Sequence, residues 1–358
     1  MEKDASLTAH QHAENIIERW NAGQTSFEIT TSGSTGLPKT YILEKPSMIW
    51  SANQTLKHFI STPNKQLICL PLNKVGGFMQ IIRSLVWNQS FYLIEPSSNP
   101  LLDETIPDDC KIASFTPHQL YHILHHDSSK KKLAQFHSVL VGGGEISIEI
   151  EKQLIREYPK IQFIHTFGMT ETYSHFAGRL LGEVWYHLTD NTQIQTNSSG
   201  CLQVRNTLTN NEWLTTNDLI HLDDKNQQFK WLGRADFTIN SGGVKIQIES
   251  VEKQIGQLLN IPNSDFFCWG LSHESLGQEL TLFVLETCDL VQTLIESREN
   301  QARDNLEGFI RDQLNKKIHS IRWENPYEKP RRIEFVHRTY LTETQKINRK
   351  ETVIQWLK

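Results

Sequence analysis

Nine consecutive residues near the start of the chain, Thr31-Ser32-Gly33-Ser34-Thr35-Gly36-Leu37-Pro38-Lys39, have the make-up of a phosphate cradle. Gly33 and Gly36 let the backbone bend close to a ligand, and four hydroxyls with backbone N–H groups can surround phosphate oxygens. Lys39 adds a point charge suited to the same oxygens. Residues 27–30 read as a short strand running into the loop. The spacing is not G-x-x-x-x-G-K-S/T, which excludes P-loop NTPase chemistry. A Ser/Thr/Gly turn after a strand is the plainer alternative.

Further stretches have chemical potential, each with a bland counterpart. Thr166-Phe167-Gly168-Met169-Thr170-Glu171-Thr172 follows a predicted strand and by itself is a polar strand-to-loop turn. Asp218, in Asn217-Asp218-Leu219, could accept two hydroxyl protons and so orient a sugar, although an Asp in a turn is the simpler reading. Gly233-Arg234-Ala235-Asp236 and Ser241-Gly242-Gly243 combine charge with positions where missing side chains allow close backbone approach. Val141-Gly142-Gly143-Gly144-Glu145 is a glycine-rich strand end, and the charged run 342–350 contains Lys346. His118, His122, His125 and His126 fall on one helical face, but no Cys or carboxylate set completes a metal site, so they read as a solvent-facing patch.

The elements that must position these residues change character along the chain. From 27 to about 168, strands at 66–72, 90–95, 111–116, 138–141 and 161–166 alternate with helices at 77–87, 117–126 and 148–158. That alternation predicts an α/β fold with a mostly parallel sheet covered by helices. From 182 to 237, short β-like pieces separated by Asn, Thr and Gly turns predict a small antiparallel barrel or sheet. A small α+β region follows, with a helix within 244–259, strands at 266–271 and 279–285, helix over most of 290–317, and a last strand at 332–337. The expected division is a large N-terminal domain, 1–235, and a C-terminal domain, 236–358.

Bulk properties narrow the function. The 358 residues carry a net charge of −5 with a pI near 6.3, which argues against nucleic-acid binding. Lys130-Lys131-Lys132 is expected to be a solvated loop. Five widely spaced cysteines without a C-x-x-C pair, no apolar leader and no long apolar run predict a cytoplasmic protein that does not enter a membrane.

In their order along the chain, these stretches resemble the motifs of the adenylate-forming superfamily of acyl-CoA synthetases, luciferases and peptide-synthetase adenylation domains. The resemblance implies that residues 31–39 hold the phosphates of ATP. It implies that Phe167, where the family usually has Tyr, packs on adenine beside Gly168, Gly143, Gly144 and Glu145. Thr170 would contact the α-phosphate and Glu171 would help hold Mg²⁺ between phosphates. Asp218 would accept both ribose hydroxyls, with Asn217 replacing the usual Gly, and Arg234 would reach the nucleotide. Asp236 would be the pivot of a mobile C-terminal domain, and Ser241, Gly242 and Gly243 would line the path of the coenzyme A arm. Lys346 aligns with the lysine that enters the site during adenylation, although Thr342 and Gln345 replace the family's Pro and Gly.

Only 30 residues precede Thr31, so the family's large domain is expected to be truncated at its N-terminal side. That shortness, with Met169-Thr170-Glu171-Thr172-Tyr173-Ser174-His175, is most similar to the short o-succinylbenzoate–CoA ligases of menaquinone synthesis. Such an acid has two carboxylates and only one reacts, so the other needs a cation or hydrogen-bond donors. Lys74 (at the place of the histidine in the family's P-L-x-H), Arg83, Ser174 and His175 are the candidates, against the alternative that Lys74 and Arg83 solvate a helix. Other outcomes of the resemblance are a different aryl- or acyl-CoA ligase, one that loads a carrier-protein thiol, or a nucleotide-binding relative without catalysis.

Overall fold

The computed structural model describes residues 8–31, 39–60, 62–223, 225, 227–297, 306–342 and 347–358. Ser32, Gly33, Ser34, Thr35 and Gly36 of the expected phosphate loop lie outside the described residues, and so does Lys346. Backbone contacts divide the chain into two compact units, Met1–Thr216 with Ile220–Trp231, and Asn217–Leu219 with Leu232–Lys358.

The first unit opens with α1 (Ala9–Asn21), started by a reciprocal cap between Thr8 and Gln11. Strands β1 (Ser26–Thr31) and β2 (Lys39–Glu44) pair antiparallel, with Thr31 opposite Lys39, so residues 32–38 connect the two paired ends. Helix α2 (Lys45–Phe59) follows directly, with Pro46 in its first turn where a missing N–H costs nothing. Neither α1 nor α2 figures in the sequence reading, because the faces they bury are rich in small residues, Ala9 and Ala13 in α1 and Ser51, Ala52 and Thr55 in α2.

The alternating region then runs β3 (Gln66–Ile68), α3 (Val75–Trp87), β4 (Phe91–Leu93), β5 (Ile112–Phe115), α4 (Pro117–Leu124), α5 (Asp127–Leu133), β6 (Ser138–Val141), α6 (Ile148–Glu157) and β7 (Gln162–Gly168). Strands β4, β3, β5, β6 and β7 are parallel neighbours in that order. The chain moves outward from β3 to β4 and then restarts at β5 on the other side of β3. The C-terminal ends of β3 and β5 therefore bound a crevice of the kind that ligands occupy in open α/β sheets. Lys130, Lys131 and Lys132 are not in a loop as expected. They form the last turn of α5, whose N-terminal turn holds Asp127, and that distribution of charge suits the helix dipole.

After β7 come β8 (His175–Leu180), β9 (Tyr186–Leu188), β10 (Gln193–Thr196), β11 (Cys201–Arg205), β12 (Leu214–Asp223) and β13 (Gln228–Arg234). The same sheet continues from β7 in the order β8, β9, β13, β12, β11, β10, with β7/β8, β8/β9, β9/β13 and β10/β11 antiparallel. The expected antiparallel pieces thus extend the parallel sheet, and their inner face is the cluster of Phe176, Tyr186, Ile194, Leu202, Val204 and Phe229.

In the second unit, β14 (Thr238–Ser241) and β15 (Val244–Gln247) form a hairpin, followed by α7 (Ile248–Leu259), β16 (Phe266–His273), β17 (Gly277–Leu285), α8 (Asp289–Glu296), α9 (Leu306–His319), β18 (Arg332–Val336) and α10 (Arg349–Trp356). Its core joins Ile255 of α7 and Leu314 of α9 to Cys268 and Leu282 of the sheet. Among the described residues, no helix is long and apolar enough to cross a membrane.

Candidate active site

The C-terminal ends of β5, β6 and β7 set the expected nucleotide residues side by side. Thr166 donates its hydroxyl proton to the Val141 carbonyl at 3.0 Å, and a Cβ on Gly142 would stand 2.9 Å from the same hydroxyl. Gly143 takes φ +85°, a conformation that favours glycine. His165, unnoticed in the sequence, bonds the Gly144 carbonyl through Nε2 at 2.9 Å and the Tyr186 hydroxyl through Nδ1 at 2.8 Å. It thereby fixes the 143–145 segment against the end of β7. The half-buried Phe167 ring is held edge-on by Phe176, Tyr186 and Phe229, with centroids 5.1–5.7 Å away.

Gly168 has no substitute, because a Cβ there would lie 1.9 Å from the Ser174 carbonyl. That close approach closes a tight turn in which the Met169 N–H donates to the Ser174 carbonyl at 3.1 Å. Thr170 and Glu171 occupy a single 3-10 turn within it, and Tyr173 ends the turn at φ +59°. Glu171 accepts a 2.6 Å hydrogen bond on Oε1 from the Tyr41 phenol of β2. Burial, and then the neighbouring carboxylate, push the Tyr41 phenol up to about 12. Tyr41, Thr170, Glu171, Tyr173 and Trp213 border a cleft of about 320 Å³. A half-buried carboxylate with one oxygen held, beside a threonine hydroxyl, is an oxygen donor set that fits a hard cation brought in with phosphates.

Arg83, Ser174 and His175 are joined in one buried chain of hydrogen bonds. Thr55 Oγ1 donates its only proton to the Ser51 carbonyl at 3.0 Å, so it accepts from His175 Nε2 at 2.8 Å. Nδ1 of that tautomer has a lone pair and accepts from Ser174 Oγ at 3.2 Å, and Ser174 Oγ accepts from Arg83 Nη2 at 2.6 Å. Burial, with the Arg83 charge beside it, holds His175 well below the usual imidazole range. Arg83 does not solvate a helix face: it is 3% exposed, and burial lowers its guanidinium to about 10. Its buried Nε has no partner, and no carboxylate pairs with it among the described residues. Lys74 stands apart from this chain. It caps α3, nine residues before Arg83 or about 13 Å along the helix axis.

Asp218, Arg234, Asp236 and the candidates that follow them in the chain belong to the second unit. Asp218 is 9% exposed on β12. Arg234 makes a two-pronged bond to Asp236, Nε and Nη2 each 2.9 Å from a carboxylate oxygen, and this pair raises its pKa. Its backbone is held as well, the N–H donating to Glu249 at 2.6 Å and the carbonyl accepting from Gln247 at 2.9 Å. Gly242 and Gly243, at φ +60° and +83°, make the β14–β15 turn, for which positive φ at both central residues is the requirement. The hydroxyl of the buried Ser241 beside them has no partner among the described residues. Leu341 bridges to Ile347, and Arg349 pairs with Glu252 at 2.7 Å. His118, His125 and His126 are exposed and His122 is half-buried.

Comparison with known proteins adds to this geometry. Residues 2–207 match the family described as AMP-binding enzyme. The 2-succinylbenzoate–CoA ligase of Listeria monocytogenes is 26% identical over 274 residues, 69% of this chain and 57% of that enzyme. The chain therefore spans little more than half of that relative's length. The crystal structure of an acyl-CoA synthetase (AMP-forming)/AMP-acid ligase II-like protein from Dyadobacter fermentans superposes with TM-score 0.59 and 28% identity, covering 96% of this chain and 93% of that one. The o-succinylbenzoate CoA synthetase of Bacillus subtilis, in complex with its acyl-adenylate, superposes with TM-score 0.69 at 18% identity, covering 90% of this chain and 68% of that one. That likeness is one of fold.

Proposed function

This chain belongs to the AMP-binding enzyme family, and on that premise we propose that it is an AMP-forming acid–thiol ligase for an aromatic acid bearing a second carboxylate, o-succinylbenzoate being the best fit. The observation that carries the substrate class is the buried Arg83, bound to Ser174 three residues beyond Glu171 and without a carboxylate partner among the described residues. An isolated guanidinium in the interior costs several kcal/mol and is best explained by an anion that joins it.

In the first half-reaction the reacting carboxylate attacks the α-phosphorus of ATP, giving acyl-adenylate and pyrophosphate. In the second a thiol, that of coenzyme A, displaces AMP. Both steps need positioning and charge neutralisation more than a protein nucleophile. Thr31, Lys39 and the loop between them hold the phosphates, Phe167 and Gly143–Glu145 the adenine, and Thr170 the α-phosphate. Asp218 takes the ribose hydroxyls and Arg234 the nucleotide. Glu171 holds Mg²⁺, which offsets phosphate charge when bound. Lys346 supplies a movable cation to the adenylation transition state, and Ser241, Gly242 and Gly243 line the thiol's path. Residues 1–235 act as the nucleotide domain and 236–358 as the mobile one, with Asp236 the pivot. Five buried free cysteines suit the cytoplasm.

ATP–pyrophosphate exchange measured with a panel of acids tests the reading. Exchange that depends on o-succinylbenzoate and fails with benzoate and fatty acids is the expected result. Equal exchange with those acids would remove the substrate, and none with any acid would remove the ligase.

A further inference from the structure

The β1–β2 hairpin stands outside the long sheet, and two tyrosines tie it to the turn that follows β7. Tyr41 of β2 donates its phenolic proton to Glu171 Oε1 at 2.6 Å. Tyr173, within the turn, accepts from the Glu44 N–H at the end of β2 at 3.2 Å. Tyr41 shares the inward face of β2 with Leu43, which is 1% exposed, so a phenylalanine would pack there equally well. The hydroxyl is thus the part of Tyr41 that packing does not require, and its partner is one of the two oxygens of a carboxylate at the edge of a cleft.

We propose that Tyr41 is a positioning residue for Glu171: its phenol holds Oε1, so that Oε2 is aimed at the divalent cation that accompanies ATP. The bond restricts rotation of the carboxylate about its last torsion, which is otherwise broad. It also couples the aim of that carboxylate to β2, the strand that begins at Lys39 on the far side of the phosphate loop. This inference rests on the metal-holding role assigned to Glu171 above.

The test uses the full chain with a non-hydrolysable ATP analogue and Mn²⁺ as the probe ion. Bound Mn²⁺ is read by electron paramagnetic resonance, and analogue binding without metal by calorimetry. Tyr41→Phe is expected to weaken Mn²⁺ binding in the ternary mixture about 3- to 10-fold, less than the full worth of a hydrogen bond to a charged group, because the phenol orients the carboxylate and does not itself reach the ion. Metal-free binding of the analogue should stay within twofold. In a Glu171→Gln background, where Mn²⁺ binds more weakly still, Tyr41→Phe should have no further effect. Unchanged or tighter Mn²⁺ binding in Tyr41→Phe, with Glu171→Gln impaired, overturns the positioning role alone. Unchanged Mn²⁺ binding in Glu171→Gln overturns the metal role of that carboxylate and this inference with it.

Discussion

Arg83 Nη2 lies 2.6 Å from Ser174 Oγ, although 91 residues separate the two in the chain. The bond runs from the third turn of α3 to the residue just before β8, and it places a fixed positive charge just behind the turn that holds Thr170 and Glu171. Ser174 passes the polarity on to His175 and Thr55, so the charge stands at the head of an ordered line of dipoles that point one way.

Replacing Arg83 should separate substrate recognition from stability. Arg83→Met removes a buried charge that has no carboxylate partner among the described residues, so the melting temperature should hold or rise. The KM for an acid with a second carboxylate should increase roughly 30-fold or more, equivalent to about 2 kcal/mol for a buried charge contact. The KM for ATP should stay within twofold. Steady-state kinetics with each substrate varied in turn, beside a thermal melt, provide the check; equal increases in both KM values would make Arg83 structural.

Stability should fall on mild acidification, and His175 should be a main cause. Its imidazole is held neutral in the folded chain, below the ordinary value of 6.5, whereas the unfolded chain protonates it at that value. Its contribution is therefore complete above pH 6.5 and is lost as the pH drops from there toward the folded value. His175→Gln, which keeps a polar group between Ser174 and Thr55, should be less stable at pH 7.5 but lose less between pH 7.5 and 5.5 than the natural chain. Urea unfolding at the two pH values measures this, and parallel losses would count against His175 as the titrating group.

Asp218→Ala should weaken ATP binding. Two ribose hydroxyls would lose a charged acceptor worth roughly 1.5–3 kcal/mol per bond, a fall of at least tenfold in affinity. Calorimetry with ATP and with 2′-deoxy-ATP tests the assignment, since the variant should no longer distinguish them. Undiminished ATP affinity would reject the ribose role.

Lys346→Ala should slow adenylation on the order of 10²–10³, by analogy with loss of one oxyanion donor. Transfer from pre-formed acyl-adenylate to coenzyme A should remain near normal. Asp236→Pro should do the opposite, because a fixed φ at the pivot hinders domain rotation while one pose survives. Single-turnover measurements of each half-reaction decide between these outcomes. Equal damage to both halves in the Lys346 variant would end the alternation model for this chain.

What the sequence determined by itself was whatever depends on neighbouring residues. Strands β5 and β6 are short, mostly apolar runs, buried along their whole length, between helices with capping residues such as Thr116 and Ser147. Their alternation predicts the parallel sheet that is found. The glycines of the chemical stretches were legible for the same reason: Gly168 and Gly242 answer to local backbone geometry, so the residue type announces the turn. The β8 segment His175-Phe176-Ala177-Gly178-Arg179-Leu180 showed no alternation, since four successive residues are buried, and pairing with β7 and β9 on its two sides makes it a strand. Arg83 and His175 were named as candidates from a motif's surroundings, but their isolation from water, the direction of each proton and the inclusion of Thr55 follow only from α2, α3 and β8 meeting. Tyr41 had no signal at all. Its partner lies 130 residues away, and a hydrogen bond between side chains so distant exists only once packing has brought β2 and the turn after β7 together. Local rules select backbone shape from adjacent residues, whereas charge and proton position depend on what else is buried within a few ångströms, and that is settled by the tertiary fold.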